Sequence, residues 1–264
     1  MTNIIEVKDL TKSFGGVHAV NGISFSVEQG TTFALLGPNG AGKSTTIKML
    51  TTLLRPSSGS ILVGGFDATK KPNAVRRTFG IVFQDPSLDE DLTAWENMEL
   101  HGTLYGLPRI TRRPSIDDLL RFVELYDRRD SYVREFSGGM KRRLEIARGL
   151  LHHPKIIFLD EPTLGLDPQT RNHMWEYLRR LKKRDGITVF FTTHYMEEAE
   201  RNADSVAIVD HGSIVASGTG EELKRQTHKD SLEDAFLELT GCDVREESAS
   251  AVEHLRVMRR ARGG

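Results

Sequence analysis

Cysteine is almost missing from this 264-residue chain: Cys242 is the only one. No intrachain disulfide can form, and no zinc site built from several thiolates is available. A reducing compartment is the natural setting. Long apolar runs are missing as well. The most apolar stretches, Thr32 to Gly37 and Ile156 to Leu159, last about half a dozen residues, whereas a bilayer crossing takes roughly 20. They read instead as buried strands. Met1 to Asp9 alternate charge with isoleucine and valine, so no secretory signal is expected there. Neither sign of charge dominates: the formal net charge is −1, which excludes a polyanion binder driven by bulk charge. With 38% apolar and 28% charged residues, the chain belongs with globular proteins able to bury a sizeable core.

Hydrophobic spacing predicts strands at Ile4–Leu10, Ser24–Val27 and Thr32–Leu36, then a helix from Lys43 to about Leu54. Further strands are expected at Ser60–Val63, Gly80–Phe83, Ile156–Leu159, Thr188–Thr192 and Ser205–Val209. Helical patterns at Gln169–Lys183 and Met196–Asn202 separate the last three. Strands alternating with helices imply a largely parallel, covered sheet. From Leu92 to Leu151 the spacing is helical, with breaks expected at Gly106-Leu107-Pro108 and at Arg113-Pro114. That stretch reads as a helical insertion. A short strand at Ser213–Ser217 and helices at Glu221–Gln226 and Leu232–Leu239 follow, and Gly241 ends the pattern. Cys242 to Gly264 reads as a loose tail, ending in Arg256, Arg259, Arg260 and Arg262. Such a basic end could meet an anionic lipid surface at about 1 kcal/mol per residue, although a plain tail is the simpler reading.

Chemistry concentrates first at Gly37-Pro38-Asn39-Gly40-Ala41-Gly42-Lys43-Ser44-Thr45, a G-x-x-x-x-G-K-[ST] match between an apolar strand and a helix. The glycines let backbone N–H groups turn toward phosphate oxygens, and the helix N-terminus adds positive potential. Lys43 would reach the outer phosphates and the Ser44 hydroxyl would ligate Mg²⁺. A second concentration is Asp160-Glu161, two carboxylates at the end of the apolar run Ile156-Ile157-Phe158-Leu159. Asp160 would join the Mg²⁺ shell, as the matching Asp does in P-loop NTPases. Glu161, pointing differently, could polarise a water for in-line attack on a γ-phosphate. Alone, the pair also fits a solvated turn before Pro162; the cradle upstream favours the catalytic reading. His101, His152 and His153 have no partners at metal-ligand spacing and read as surface or packing residues.

With Phe136-Ser137-Gly138-Gly139-Met140 ahead of the acidic strand end, the chain resembles the ATP-binding-cassette ATPases. Gln84 in Val82-Phe83-Gln84-Asp85 resembles that family's Q-loop glutamine, Leu164-Gly165-Leu166-Asp167 its D-loop, and His194 its switch histidine. The resemblance covers roughly Ile4 to Gly241, and six motifs in order are far more specific than any one. It implies an α/β fold: a P-loop NTPase with an ABC ATPase core of mostly parallel strands, an N-terminal antiparallel β subdomain and an inserted α-helical subdomain at about 92–151. Residues 1–241 would be the ATPase domain and 242–264 a tail. It implies ATP and Mg²⁺ as ligands, with Gln84 beside Ser44 and Asp160 on the metal, and Gln84, Glu161, His194 and Lys43 serving hydrolysis. It also implies head-to-tail pairing, in which Ser137, Gly138, Gly139 and Asp167 of one subunit cover the ATP held by the other. Phe14 stands where the family commonly stacks adenine on tyrosine; a π face is retained. Met140 replaces the usual signature glutamine and Leu164-Gly165 the usual small pair; neither alters a proton carrier.

Ser137 to Glu145, Pro162 to Pro168 and the closing Ser231 to Gly241 resemble the branch of this family that serves multidrug and antibiotic exporters. That resemblance implies a separate polytopic permease in the cell membrane, export of a drug-like, lipid or polysaccharide cargo, and a place on the membrane's cytoplasmic face. The second cassette would be another copy or a paralogue. Asp85 to Trp95, with Asp85, Asp89, Glu90 and Asp91, would line the permease contact or form a solvated loop. The alternative is a soluble cassette ATPase acting on nucleic acid or ribosomes. Such proteins usually carry a long coiled-coil insertion, zinc cysteines or two cassettes; none is visible here, and no nucleic-acid partner is expected. A GTPase would need an Asn-Lys-x-Asp motif, which the chain lacks.

Overall fold

The computed structural model of the protein describes residues 2–241; the tail with Cys242 and the arginines from Arg256 to Arg262 lies outside the described residues. The chain opens with an antiparallel hairpin of β1 (Asn3–Phe14) and β2 (Val17–Glu28), then β3 (Thr32–Leu36) and α1 (Lys43–Leu50). After β4 (Ser58–Val63), β5 (Phe66–Asp67), α2 (Pro72–Arg76) and β6 (Phe79–Val82) come three helices, α3 (Ala94–Leu104), α4 (Arg109–Phe122) and α5 (Gly138–Leu150). The order then runs β7 (Ile156–Asp160), α6 (Pro168–Asp185), β8 (Thr188–Thr193), α7 (Met196–Asn202), β9 (Ser205–Asp210), β10 (Ser213–Gly218), α8 (Gly220–Thr227) and α9 (Leu232–Thr240).

Among the described residues the strands form two sheets. One is antiparallel, in the order β2-β1-β4-β5; the other runs β10-β9-β3-β8-β7-β6, parallel from β9 to β6 with β10 antiparallel at its edge. Side chains alternate across a strand, so the parallel sheet divides two cores. Leu36, Leu159 and Phe191 join the helices that follow β6 on one face. Leu35, Phe158 and Phe190 join β1, β2 and β4 on the other. Register brings the carboxyl ends together: Leu36 pairs Thr193, Asp160 pairs Thr192, and Val82 pairs Leu159. Loops leaving those ends carry Gly37, Glu161, His194 and Gln84 to one edge, where open α/β sheets place their ligands.

Two sequence expectations change, and two short elements appear that the spacing did not predict. Pro114 lies inside α4 rather than at a break. It forgoes the bond to the Ile110 carbonyl, and the turn before it is held from outside by Arg112, which grips both oxygens of Glu99 at 2.9 and 2.6 Å and the Leu107 carbonyl at 2.8 Å. The first helix ends at Leu50, not Leu54, because Thr52 turns left-handed (φ 63°) and Leu53 and Leu54 both donate back to the Lys48 carbonyl. Strand β5 and helix α2 are too short for periodicity to reveal.

Helix α5 lies close on β6 through two glycines: a Cβ on Gly80 would fall 2.1 Å from the Gly149 carbonyl oxygen. Gly80→Ala therefore forces the helix off the strand. A loss of about 1–3 kcal/mol in unfolding free energy is expected from urea titration; a loss below about 0.5 kcal/mol, the range of ordinary surface changes, would show that this contact is not tight.

Candidate functional site

The loop from Gly37 to Gly42 has no room for side chains at its ends. A Cβ on Gly37 would meet the Val209 carbonyl oxygen at 2.3 Å, and one on Gly42 the Ala19 carbonyl oxygen at 2.4 Å. Gly42 caps α1 at φ 101°, a left-handed conformation that favours glycine. The loop thus runs tightly into the helix N-terminus, whose positive end suits anionic oxygens, while the Gly37 and Ala41 N–H groups donate to the Thr193 and Pro38 carbonyls, both at 3.2 Å. Lys43, the first helical residue, is 5% exposed; its Nζ donates to the Gly37 and Pro38 carbonyls at 2.7 and 3.1 Å and meets Glu161 Oε1 at 3.1 Å.

Across the cleft, β7 ends at the buried Asp160, and the buried Glu161 follows it. Asp160 Oδ1 accepts from Ser44 Oγ at 3.2 Å and from Thr192 Oγ1 at 2.6 Å. Glu161 turns left-handed at φ 49°, a strain of about 1–3 kcal/mol for a residue with a Cβ. Its N–H donates to Thr192 Oγ1 at 3.0 Å, and its carbonyl accepts from Leu164 N–H and from Arg142 Nη2, both at 3.2 Å. The turn directs one carboxylate oxygen to Lys43 and the other to His194 Nδ1 at 2.5 Å. Lys43, Ser44, Gln84, Glu161 and His194 line one cleft of about 480 Å³ with the glycine loop. That combination offers a cationic phosphate cradle, a hydroxyl–carboxylate pair of hard oxygens, and a carboxylate hydrogen-bonded to imidazole.

The remaining predicted residues lie elsewhere. Phe14 is half exposed at the end of β1, with Lys12 Nζ 4.9 Å from its ring centroid. Ser137 is exposed and caps α5 by accepting from Met140 N–H at 3.3 Å. Gly139 lies so close to the start of α6 that a Cβ there would fall 2.4 Å from Thr170 Cγ2. Asp167 caps α6, and the Thr170 hydroxyl, then its amide, hold the Asp167 carboxyl below its usual range. Ser137, Gly138 and Asp167 are thus exposed outside the cleft, with Gly139 half-buried beside them, while Leu164 of the D-loop lines the cleft itself. In the acidic segment, Glu90 pairs with Lys141 at 2.5 Å and Asp91 with Arg134 at 3.1 Å. His101 and His152 pack against Tyr105 while His153 is exposed; burial pushes His101 down to about 4 and His152 down as well.

Sequence reasoning passed over three supports of the site. Thr192 bridges both carboxylate residues; a polar residue in a buried strand was its one signal. Arg142 is buried against the carbonyls of Asp160, Glu161 and Pro162; its i,i+3 spacing to Glu145 on the apolar face of α5 was legible but lost in the charge run Lys141-Arg142-Arg143. Glu198, four residues beyond His194, is 5% exposed and accepts from Thr163 Oγ1 at 2.6 Å and Trp175 Nε1 at 2.9 Å.

Residues 20–164 match a family model described as ABC transporter. Similar proteins include the daunorubicin/doxorubicin resistance ATP-binding protein DrrA of Streptomyces peucetius, 45% identical over 223 residues that span 84% of this chain and 67% of that protein. A solved ATP-binding subunit of an ABC transporter superposes with a TM-score of 0.81 at 34% identity, over 90% of this chain and 100% of that one. A dimeric ATP-binding cassette in a post-hydrolysis state, bound to ADP and Pi, superposes with a TM-score of 0.73 at 27% identity, over 81% and 98% of the two chains.

Thr192→Val keeps the shape of the side chain and removes both bonds at the strand end. The Glu161 N–H then loses its partner, and unfolding free energy should fall by about 1–3 kcal/mol. Urea titration checks this; an unchanged midpoint would show that the Thr192 bridge is not formed.

Proposed function

The chain belongs to the ABC transporter family, and from that premise we propose that it is the ATP-hydrolysing subunit of an exporter, paired head to tail beneath a separate membrane permease. ATP is the substrate and Mg²⁺ the accompanying ion. The observation that carries the reading is the convergence of Lys43, Ser44, Gln84, Glu161 and His194 on one cleft, while Ser137, Gly139 and Asp167 lie outside it.

The residues fit nucleotide and metal. The bare backbone at Gly37 and Gly42, which a Cβ would obstruct, suits the close approach of phosphates. Ser44 and Asp160, already joined at 3.2 Å, would supply, with Gln84 from the lining of the same cleft, the hard oxygens that hold Mg²⁺, which neutralises phosphate charge when bound. Lys43 has three N–H donors and meets three acceptors, Gly37 O, Pro38 O and Glu161 Oε1. Gripping a phosphate means exchanging one of them, and the charged one, Glu161, has the most to release. Freed from Lys43 but still bonded to His194, the Glu161 carboxylate accepts a proton from the attacking water. His194 orients that carboxylate and approaches the γ-phosphate from the other side. Phe14 stacks on adenine; the remaining loop residues, Pro38, Asn39, Gly40, Ala41 and Thr45, surround the phosphates.

Pairing follows from the exposed residues outside the cleft. Ser137 and Gly138 present a helix N-terminus with a hydroxyl and free amides, an anion site with no phosphate cradle of its own. Head-to-tail pairing lays it over the partner's nucleotide, excluding water and strengthening charge stabilisation. The dimeric ADP-bound relative supports this arrangement, and the drug-resistance relative supports a drug-like cargo, with lipid and polysaccharide as related classes. No helix among the described residues is long and apolar enough to cross a membrane. The permease is proposed as a separate polypeptide that contacts residues 85–95 from the membrane's cytoplasmic face, with a copy or a paralogue of this chain as second cassette.

Glu161→Gln should retain ATP binding while turnover falls on the order of 10²–10⁴-fold; tagged and held with ATP, the same variant should draw a polytopic protein out of detergent-solubilised membranes. Near-normal turnover would remove Glu161 from the role of base, and ribosomes or DNA in place of a membrane protein would overturn the transporter reading. Mixing a Lys43→Ala chain with a Ser137→Arg chain should restore roughly a quarter of normal turnover, since random pairing gives one intact composite site in each mixed dimer. Near-normal turnover by Ser137→Arg alone, with the mixture giving only the average of its two parents, is the behaviour of independent monomers and would overturn the head-to-tail pairing.

A further inference from the structure

We propose that Arg142 is a positioning residue for hydrolysis: its guanidinium holds the strained Glu161 turn and, through Glu145 and Ser87, ties that turn to the segment around Gln84. The inference rests on the reading of Glu161 as the group that activates water.

A guanidinium has five N–H bonds, and Arg142 spends all of them. Nε donates to the Pro162 carbonyl at 2.9 Å. One terminal nitrogen donates to the Asp160 and Glu161 carbonyls at 3.3 and 3.2 Å. The other donates to the Phe83 carbonyl and to Glu145 Oε2, the latter at 3.0 Å. Three successive carbonyls around a left-handed glutamate are thus gathered by one buried, planar fork. That over-determines a backbone conformation which Glu161 would otherwise leave. Lysine, with a single tetrahedral ammonium, cannot reproduce the fork.

The charge is balanced by Glu145, 1% exposed, whose other oxygen accepts from Ser87 N–H at 2.8 Å and from the Ser87 hydroxyl at 3.2 Å. Arg148, on the same helix, donates to the Ser87 carbonyl at 2.7 Å. Phe83 and Ser87 flank Gln84. A displacement of this segment therefore reaches the base through two buried side chains without passing through the sheet.

The test compares wild type, Arg142→Lys, Glu161→Gln and the double variant by equilibrium ATP binding, KM, kcat and thermal unfolding. Arg142→Lys should lower kcat on the order of 10²-fold, the cost of a reacting group displaced by about 1 Å, with KM and ATP affinity within about threefold of wild type. Because both changes act through one carboxylate, the double variant should be no slower than Glu161→Gln by more than about twofold. A merely structural role would weaken ATP binding and slow Glu161→Gln further. Should Arg142→Lys not fold, Glu145→Gln keeps an oxygen for Ser87 while withdrawing the charge beside Arg142; a fall in kcat of about tenfold at unchanged KM is expected. The proposal is overturned if the folded variant turns over within about twofold of wild type, or if ATP affinity falls together with kcat. Full turnover in Glu161→Gln would instead sink the base reading, an outcome visible before Arg142 is changed.

Discussion

A strand that is buried along its whole length ends in two buried carboxylates, and a carboxylate out of water must be paired or become neutral. Asp160 and Glu161 are 4% and 7% exposed. Their partners come from separate elements: Lys43 and Ser44 from the start of α1, Thr192 and His194 from the end of β8. Pairing these charges therefore ties the ends of β3, β7 and β8 together alongside the ladder bonds. The glycine loop follows from the same demand. Lys43 can reach Glu161 only if the chain leaves β3 and enters α1 within a few residues, against the Val209 and Ala19 carbonyls, where side chains have no room.

Bracing of the base is shared by both layers of the fold. Thr192 holds the Glu161 amide from the sheet side and Arg142 holds its carbonyl from the helical side. Thr163, two residues on, is tied through Glu198 to α7 and through Trp175 to α6. Glu198 thus joins the loops that follow β7 and β8.

Legibility in the sequence follows from where each constraint is written. The cradle was readable because its backbone demands are local: Gly42 needs φ 101° and has no space for a Cβ, so residue types at fixed spacing spell the geometry. Strands β3 and β7 were readable because burial on both faces leaves uninterrupted apolar runs. Arg142 was not, since a charged helical residue reads as solvated unless its acceptors are known, and those lie 18 to 20 residues ahead in the strand-end turn. Pro114 was misread for a related reason: the local rule against proline in a helix was overridden by Arg112 contacts to Glu99, 13 residues away. Placement of the signature outside the cleft was implied by the family resemblance, through head-to-tail pairing, and not by any local pattern.

Helix α5 joins these levels. Its first turn presents Ser137 and Gly138 outward, and five residues later Arg142 turns inward to the strand end. At 1.5 Å per residue the two lie about 7–8 Å apart along one helix. Gly149 and Gly80 hold the far end of that helix against β6, so it cannot tilt freely. A force on Ser137 is then carried to the Glu161 backbone by a rigid element and not by a loop. If Ser137 covers the nucleotide of a partner chain, the helix that senses one site also holds the base of the other. A single helix held by Arg142 near its start and by Gly149 at its far end would carry that link without any change in sheet register.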